Sequence, residues 1–538
     1  MRDAPFSGAY NRVASNPRGF VLAIVGIASA LLVLLATSKY GIAYHSDSAR
    51  YVSVSKNLLA GNGFMEYTGE WYVAGGPLYP AILAAGSVFK MAPLTTARFL
   101  HAGLFAATIM IGGAWLSRFR PLPALWLLGL VLMITSAELM DLATTALTDM
   151  LFAACIVYSL SRLDSFLRDS STRSLLLAST AASLACLTRY IGIAVLVTGV
   201  ALLLVGRASK SWRLRIKEAG IFATIASLPT AVWVFRNYLL SSTTTGQRFP
   251  PFHTFADFAS SAIDVVGLWF LPAWIPRSGR LLLGAVILLS LCFGLVLAAR
   301  NVMMKRRTQG DSSPESIAIL VAASFAVLYL GLLVVLGSRS FFSSTAARYT
   351  APAFIPVVVA LVGMMRSLFA IKSQRRTRWW PAAGYIAAAV MVVWPTRFLA
   401  GRVAYAVREG AGGYASTKWQ TSEVLRHLRA QSPRGVVFAN EPNAIYFLGG
   451  VASPRWIPPH NTPESPISSD EALEQLRDSV RKLHAEVIVR FSALGPSLAS
   501  YSYSAADLLS ALQLERLAVL QDGEIYRVRQ SELIQPEK

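Results

Sequence analysis

A carboxylate and two cations follow the first long apolar run of the chain. The run covers residues 20–43, and Asp47, Arg50 and Lys56 come shortly after it. A carboxylate just outside the hydrocarbon edge of a membrane can take a proton from an attacking hydroxyl group. Arginine and lysine side chains beside it can hold a phosphate. The spacing therefore suits acid–base chemistry on a phosphorylated substrate at the membrane surface.

The same residues also have a purely structural interpretation. Residues 48–60 can form a short helix, with Asp47 at its N-cap and Gly61 at its end, and both are favourable boundary residues. Asp47 would then cap a helix that lies on the bilayer surface. The spacing alone does not decide between a cap and a catalytic base.

The composition indicates a polytopic α-helical membrane protein. The 538 residues are 54% hydrophobic and 15% charged, with a mean hydropathy of +0.48. Apolar runs of the length that a bilayer requires of a helix recur along the chain. We expect about eleven spans, at approximately 20–43, 99–117, 122–137, 147–161, 174–188, 190–206, 219–235, 281–299, 316–337, 349–365 and 380–396. The run 77–92 is short and contains two prolines, so we expect a re-entrant or interfacial segment there.

The positive charges of the chain set the predicted orientation. The net charge is +21, but the cations cluster between apolar runs and form no basic-aromatic module, which argues against a nucleic-acid partner. Lysine and arginine concentrate in alternate loops, and this asymmetry places the N-terminus in the cytoplasm and the Asp47 loop outside. The three cysteines lie inside apolar runs and predict no disulfide framework.

The last quarter of the chain has a different character. We expect residues 1–396 to form the membrane domain and residues 397–538 an extracytoplasmic, soluble α/β domain, because short β-branched runs alternate there with amphipathic stretches. The predicted elements are helix 418–430, strand 435–440, helix 442–448, strand 451–457, helix 469–485, strand 486–491, helix 504–515 and strand 524–528.

Residues 45–80 contain a distinctive pattern: Asp47, Tyr51, Asn57-Leu58, Gly61-Asn62-Gly63-Phe64 and Pro77-Leu78-Tyr79-Pro80. This pattern resembles the first outer loop of the GT-C superfamily of polyprenyl-phosphate-sugar glycosyltransferases, which includes protein mannosyltransferases and bacterial aminoarabinose transferases. In that superfamily the acidic residue after the first span is the proposed catalytic base, and it corresponds to Asp47. Many members have Asp-Glu at this point, whereas Ser48 follows here. The resemblance implies a bacterial inner-membrane location.

Three further segments resemble superfamily features on the outer side. Asp149 opens a span and would lie near a metal or the substrate, or cap its helix. Glu138 and Asp141 on the same outer hairpin could serve instead. Arg189, between two short spans, either reaches the interface or binds an anion. Arg348 and Tyr349 begin another span. They would either belong to the phosphate site or anchor the helix at the membrane interface.

The loop 236–280 holds two more candidates. In relatives the loop after this span folds over the donor site, so Arg236 is a candidate phosphate ligand, although its position after Trp233 also suits an anchor. His253 has no partner at metal-ligand spacing, and we expect it to line the substrate site at most.

The resemblance implies an inverting hexosyl- or pentosyltransferase. It would use a polyprenyl-phosphate-linked sugar and a glycan, lipid or protein acceptor, with membrane lipids around it. Asp47 would be the base, and Tyr51 and Tyr349 would line the site. The phosphate would be held by five cations: Arg50, Lys56, Arg189, Arg236 and Arg348. A divalent cation at Asp149 is left open, and no nucleotide fingerprint is present.

Three other functions are kept as alternatives. A lipid-linked glycan polymerase or ligase would share most of these features. A transporter or flippase would predict ionisable residues at mid-span and an internal repeat, and the sequence shows neither. A non-catalytic scaffold that presents the α/β domain would not explain the residue pattern in 45–80.

Overall fold

Helices dominate the computed structural model. It describes residues 17–118, 121–206, 210–248, 251, 254–307, 313–340, 347–372, 380–458, 460, 467–492 and 503–529. The helices of the membrane part are α1 (Pro17–Ala36), α2 (Ser46–Leu59), α3 (Leu78–Ala85), α4 (Pro93–Ser117), α5 (Pro123–Ile134), α6 (Ala137–Thr144), α7 (Asp149–Asp169), α8 (Thr172–Thr188), α9 (Ile193–Val205), α10 (Trp212–Ser241), α11 (Phe255–Leu268), α12 (Arg277–Arg307), α13 (Pro314–Gly337), α14 (Ala347–Thr350), α15 (Phe354–Lys372) and α16 (Trp380–Glu409).

Each of the eleven predicted spans overlaps a helix, although the first, 20–43, runs past the end of α1 at Ala36. The chain is a multi-pass membrane protein. Within the described residues, seven helical stretches are long and apolar enough to cross a membrane: α1, α4, α7, α10, α12, α13 and Arg348–Leu368. The bent pair of α5 and α6 would make an eighth. Two of the predicted spans, α8 and α9, have only 17 and 13 residues, which is short for a bilayer crossing. The apolar helix Leu78–Phe89 is also short, as expected for residues 77–92.

Helix α7 lies at the centre of the membrane part. Of its apolar window, 83% of the residues are buried inside the protein, more than in any other long apolar helix of the described chain. A helix that is apolar on all sides packs in the interior, and α7 packs against α8, α4 and α13. Its first residue is Asp149, so the most enclosed helix of the fold begins with a carboxylate.

The segment after α1 is tied by its backbone to the segment before α7. The Ala43 N–H donates to the Thr144 carbonyl at 2.8 Å, and the Ala146 N–H donates to the Ala43 carbonyl at 2.7 Å. The Ser48 hydroxyl also donates to the Ala146 carbonyl at 3.0 Å. These bonds fix the start of α2 beside the start of α7.

The C-terminal part is a small α/β domain, as predicted. Its elements are α17 (Thr417–Gln420), α18 (Glu423–Gln431), β1 (Val436–Ala439), α19 (Pro442–Ala444), β2 (Arg455–Trp456), α20 (Ser469–Lys482), β3 (Ala485–Phe491), α21 (Ala505–Ala511), β4 (Leu514–Leu520) and β5 (Gly523–Val528). The sheet order is β2-β1-β3-β5-β4. Strand β1 is parallel to β2 and β3, whereas β5 is antiparallel to β3 and β4. Helices α20 and α21 cover one face and α18 covers the other.

One predicted element of this domain is wrong. The sequence predicted helix 504–515, but the helix ends at Ala511 and Leu514–Leu520 form strand β4. Antiparallel pairing with β5, which follows after a two-residue turn, determines the conformation there. The prediction did not include this strand, so it missed one edge of the sheet.

The two parts of the chain meet at the loop that follows α2. The Tyr67 hydroxyl donates to Asn443 Oδ1 at 2.9 Å, and Arg455 Nη1 donates to the Thr68 carbonyl at 3.0 Å. The rings of Tyr67 and Tyr446 stack with centroids 4.5 Å apart. The C-terminal domain therefore contacts the loop between α2 and α3 and helps to fix its position.

Candidate functional site

Asp47 lies in the first turn of α2 rather than at its N-cap. The N-cap is His45, and the prediction that Asp47 caps the helix is wrong. The Ser48 hydroxyl accepts the His45 N–H at 3.0 Å and so satisfies the helix start in its place. Gly61 follows the end of the helix with φ +80°, as expected. The Asp47 carboxylate is thus not needed for capping.

The Asp47 carboxylate forms an ion pair with Arg348. Arg348 Nη2 lies 3.2 Å from Asp47 Oδ2, and the side chains are 29% and 39% exposed. The same nitrogen donates to the Tyr349 hydroxyl at 2.7 Å. The first turn of α2 and the single turn α14 therefore meet at one point on the surface of the membrane domain.

A second ion pair joins Asp149 to Arg189. Asp149 is 2% exposed at the start of α7, and its Oδ1 lies 2.5 Å from Arg189 Nη1. Arg189 occupies the break between α8 and the 3₁₀ turn Tyr190–Gly192. The carboxylate of Asp149 is therefore bound to a cation, and the arginine at membrane depth is neutralised by a buried anion.

The ring of Tyr349 connects the two ion pairs. The guanidinium of Arg348 lies 4.7 Å from the ring centroid, and that of Arg189 lies 5.4 Å from it. Both positions are within the range of cation–π attraction. The structure thus brings together five of the predicted site residues: Asp47, Asp149, Arg189, Arg348 and Tyr349.

Tyr51 lies one turn after Asp47 on α2. Its ring packs edge-on against Tyr79 and Tyr72, with centroids 5.4 and 6.3 Å away. Burial raises the pKa of the Tyr51 hydroxyl above its ordinary value, so the phenol stays protonated at neutral pH. Tyr51 lies beside the cluster as a neutral side chain.

Arg50 and Lys56, on the same helix, have other partners. Arg50 Nε lies 3.4 Å from Glu66 Oε2. The Lys56 ammonium lies 5.0 Å from the ring centroid of Tyr446 in the C-terminal domain. Burial lowers the pKa of Lys56 and raises that of Glu66. Sequence reasoning missed Glu66, because nothing in the loop pattern distinguishes it from a solvated acidic residue.

Arg236 behaves as an anchor of the loop that precedes α3. Its Nη1 donates to the Tyr72 carbonyl at 3.1 Å. Its guanidinium lies 4.6 to 5.7 Å from the ring centroids of Trp233, Trp71 and Phe64. These contacts place Arg236 against the loop of residues 64–76 and not in the cluster around Tyr349.

Two polar side chains that the sequence analysis did not select hold the same loop. The Tyr190 hydroxyl donates to the Val73 carbonyl at 2.8 Å. The buried Asn237 amide donates to the Tyr190 hydroxyl at 3.0 Å. A methyl group on Gly76 would lie 1.9 Å from the Leu187 carbonyl oxygen, so this loop packs directly on the chain that leads to Arg189.

Glu138 lies outside the cluster. The Ser136 hydroxyl donates to its carboxylate at 3.3 Å. One turn later, Asp141 pairs with Arg402 in a separate cavity of about 560 Å³ between α1, α6 and α16. The predicted substrate-lining residue His253 lies outside the described residues.

The described residues contain no group of three or more histidine, cysteine, aspartate and glutamate side chains that could hold a metal. At Asp149 the nearest charged neighbour is the guanidinium of Arg189, and a second cation there would be repelled. The arrangement around Asp149 therefore does not fit a divalent metal.

Solved structures share this fold. No family model and no curated protein sequence matches the chain. The crystal structure of ArnT from Cupriavidus metallidurans in the apo state has 14% sequence identity and a TM-score of 0.59, and the match covers 96% of this chain and 99% of that one. The same protein bound to undecaprenyl phosphate matches over 97% and 100%, with 14% identity and a TM-score of 0.58.

A more distant match is the oligosaccharyltransferase from Archaeoglobus fulgidus tethered with an acceptor peptide. It has 12% identity and a TM-score of 0.50, and the match covers 88% of this chain and 69% of that one. At such identities the likeness shows the fold. The chain therefore has the architecture of ArnT over nearly its whole length.

Proposed function

We propose that this chain is an integral membrane glycosyltransferase. It transfers a sugar from a polyprenyl-phosphate donor to an acceptor hydroxyl on the extracytoplasmic side. The observation that carries the proposal is the cluster around Tyr349, where one accessible carboxylate, Asp47, lies beside the guanidinium groups of Arg348 and Arg189. That combination suits a base next to a phosphate leaving group. ArnT, which has the same fold, was solved with undecaprenyl phosphate.

Asp47 acts as the general base. Its carboxylate takes the proton of the acceptor hydroxyl as the acceptor oxygen attacks the anomeric carbon of the sugar. The bond between that carbon and the phosphate oxygen breaks, so the sugar is transferred with inversion and polyprenyl phosphate leaves. Among the residues of the cluster, Asp47 has the most accessible carboxylate: it is 39% exposed, whereas Asp149 is 2% exposed.

Arg348 and Arg189 stabilise the departing phosphate. Charge-assisted bonds from guanidinium groups to phosphate oxygens are among the strongest hydrogen bonds in proteins. Asp149 is a positioning residue, since its buried carboxylate holds Arg189 against the ring of Tyr349. Arg50 and Lys56 lie further along α2 and have other partners, Glu66 and the ring of Tyr446, so we assign the phosphate to Arg348 and Arg189.

The alternatives differ in what they require. A lipid-linked glycan polymerase or ligase would use the same carboxylate and the same arginines, and only the acceptor would differ. A flippase would need no general base, so Asp47 could be replaced without loss of function. The acceptor class, whether glycan, lipid or protein, and the inner-membrane location with a cytoplasmic N-terminus belong to the proposal.

The test is sugar transfer by the purified protein. The protein in detergent or nanodiscs is incubated with polyprenyl phosphate that carries a radiolabelled sugar, and with membrane extracts that supply acceptors. Label moves from the lipid carrier to an acceptor if the proposal is correct. Transport of lipid across the bilayer by wild-type protein and by Asp47→Asn alike, without transfer, would favour the flippase.

A further inference from the structure

Arg348 already has an anionic partner in this structure. Its Nη2 lies 3.2 Å from Asp47 Oδ2. In the proposed reaction this guanidinium holds the donor phosphate, and Asp47 must be able to accept a proton. A carboxylate oxygen that is bonded to a guanidinium is not available to an acceptor hydroxyl. Oδ2 of Asp47 therefore becomes available to the acceptor proton only when Asp47 and Arg348 separate.

The two ion pairs of the cluster differ in how easily they can open. Asp149 is 2% exposed and its partner Arg189 21%. Removal of Arg189 would leave a buried carboxylate without a counter-charge, which is strongly unfavourable. Asp47 is 39% exposed and Arg348 29%, so water can solvate the carboxylate once the arginine leaves. The Asp47–Arg348 pair can open, whereas the Asp149–Arg189 pair stays closed.

A phosphate is a stronger partner for Arg348 than Asp47 is. The donor phosphate is a diester with one negative charge and two free oxygens, and it can meet the planar guanidinium with two parallel bonds, whereas Asp47 meets it through Oδ2. After transfer the released monoester carries a charge of about −1.5 to −2. The guanidinium is never left unpaired in such an exchange, because one anion replaces another. Tyr349 can accompany the movement, since its hydroxyl accepts from Nη2 at 2.7 Å and its ring lies against the guanidinium.

We propose that the donor phosphate displaces Asp47 from Arg348, and that this exchange frees Asp47 to act as the base. The inference rests on the proposed function and goes beyond it, since it makes the base available only when a donor is bound. Without donor, Arg348 occupies Oδ2 of Asp47 in place of an acceptor hydroxyl. The order of binding is then donor first, acceptor second.

The exchange has an unusual consequence for affinity. Binding of the phosphate must break the Asp47–Arg348 pair, so the pair weakens binding. Asp47→Asn removes the competing carboxylate and should lower the Kd for undecaprenyl phosphate by about fivefold, the scale of a partly exposed ion pair. Arg348→Ala should raise the Kd by about tenfold or more. In the Arg348→Ala background, Asp47→Asn should have no further effect.

The Kd values are measured for full-length protein in nanodiscs titrated with undecaprenyl phosphate. Asp141→Asn is the matched control, since Asp141 forms a similarly exposed pair with Arg402 elsewhere on the membrane domain; its Kd should equal that of the wild type. An unchanged or higher Kd in Asp47→Asn would overturn the exchange. So would an equal decrease with and without Arg348, which would indicate simple charge repulsion.

The outcome of the titration separates the two proposals. Binding by the wild type with no gain in Asp47→Asn overturns the exchange and leaves the glycosyltransferase proposal intact. No binding of undecaprenyl phosphate by the wild type or by any variant overturns the proposed donor, and the exchange with it.

Discussion

Arg348 Nη2 lies 3.2 Å from Asp47 Oδ2, although 301 residues separate the two in the chain. The carboxylate comes from the first turn of α2 and the guanidinium from the single turn α14. Arg189, from the break before α9, also lies against the Tyr349 ring. Asp149, at the start of α7, pairs with Arg189. The cluster therefore depends on four distant segments, and its parts can be tested separately.

Tyr349 supports both arginines with its ring and one of them with its hydroxyl. Tyr349→Phe keeps the ring and removes only the acceptor for Arg348, so we expect a loss of a few-fold in transfer rate, on the scale of one hydrogen bond of about 1 kcal/mol. Tyr349→Leu removes both cation–π contacts and should cost about tenfold or more. Steady-state transfer assays compare the two variants. Equal activity of Tyr349→Leu and the wild type would contradict a role for the ring.

Gly76 sets the distance between the residue 64–76 loop and the chain before Arg189. A Cβ at this position would lie 1.9 Å from the Leu187 carbonyl oxygen, which is backbone and cannot move freely. Gly76→Ala should therefore lower the unfolding free energy by about 1–3 kcal/mol and also reduce transfer. Thermal unfolding and transfer rate are measured together.

The control for Gly76 is Gly331→Ala in α13, where a Cβ meets no atom within 4 Å. Alanine is the better helix former there, so stability should stay the same or rise slightly. If both variants have the same stability, the close contact at Gly76 is not a constraint.

Arg236 should matter for stability and not for donor binding. Arg236→Ala removes a bond to the Tyr72 carbonyl and contacts with three aromatic rings, which together should cost about 1–2 kcal/mol. The unfolding temperature should fall while the Kd for undecaprenyl phosphate stays unchanged. Arg426→Ala, at an exposed site in the C-terminal domain, is the control for loss of one positive charge. A tenfold rise in Kd for Arg236→Ala would instead make Arg236 a phosphate ligand.

Glu66 should give the stability of the protein a pH dependence. Burial raises its pKa above the ordinary value of 4.5, although Arg50 opposes the shift. The folded protein thus holds this proton to a higher pH than the unfolded chain does, and the contribution to stability is present below about pH 4.5 and is lost as the pH rises through the folded pKa.

Glu66→Gln removes that titration. The unfolding temperature of Glu66→Gln, relative to the wild type, should therefore rise as the pH increases from about 4.5 to 7.5. Asp507→Asn is a control that should show no change over this range, because hydrogen bonds from Ser504 lower the pKa of Asp507 from its ordinary value of 3.8 and it titrates only at lower pH. A difference between Glu66→Gln and the wild type that does not change with pH would contradict burial as the cause.

Local sequence patterns predicted most of the helices and selected all five residues of the cluster around Tyr349. Apolar runs identify membrane helices because the bilayer fixes their length. The GT-C-like loop pattern selected Asp47, and the cost of an arginine at membrane depth selected Arg189. Each of these signals is confined to a few neighbouring residues, so it does not depend on which distant segments of the chain meet in the fold.

The contacts that the sequence did not predict are all non-local or depend on competition between neighbours. Ser48 satisfies the start of α2, so an aspartate one residue earlier is left free for other partners. Arg236 and Arg348 have the same local signal, an arginine beside an aromatic residue at a helix end. Only the fold shows that Arg348 reaches Asp47 whereas Arg236 reaches the Tyr72 carbonyl.

The central claim is that Asp47 is the base of a sugar transfer from polyprenyl phosphate. The most direct measurement is the single-turnover transfer of radiolabelled sugar from undecaprenyl phosphate by purified wild-type, Asp47→Asn and Asp141→Asn proteins. We predict transfer by the wild type and by Asp141→Asn, and a rate lower by about 10²- to 10⁴-fold in Asp47→Asn, with undecaprenyl phosphate still bound. Transfer by Asp47→Asn at the wild-type rate would contradict the assignment of Asp47 as the base.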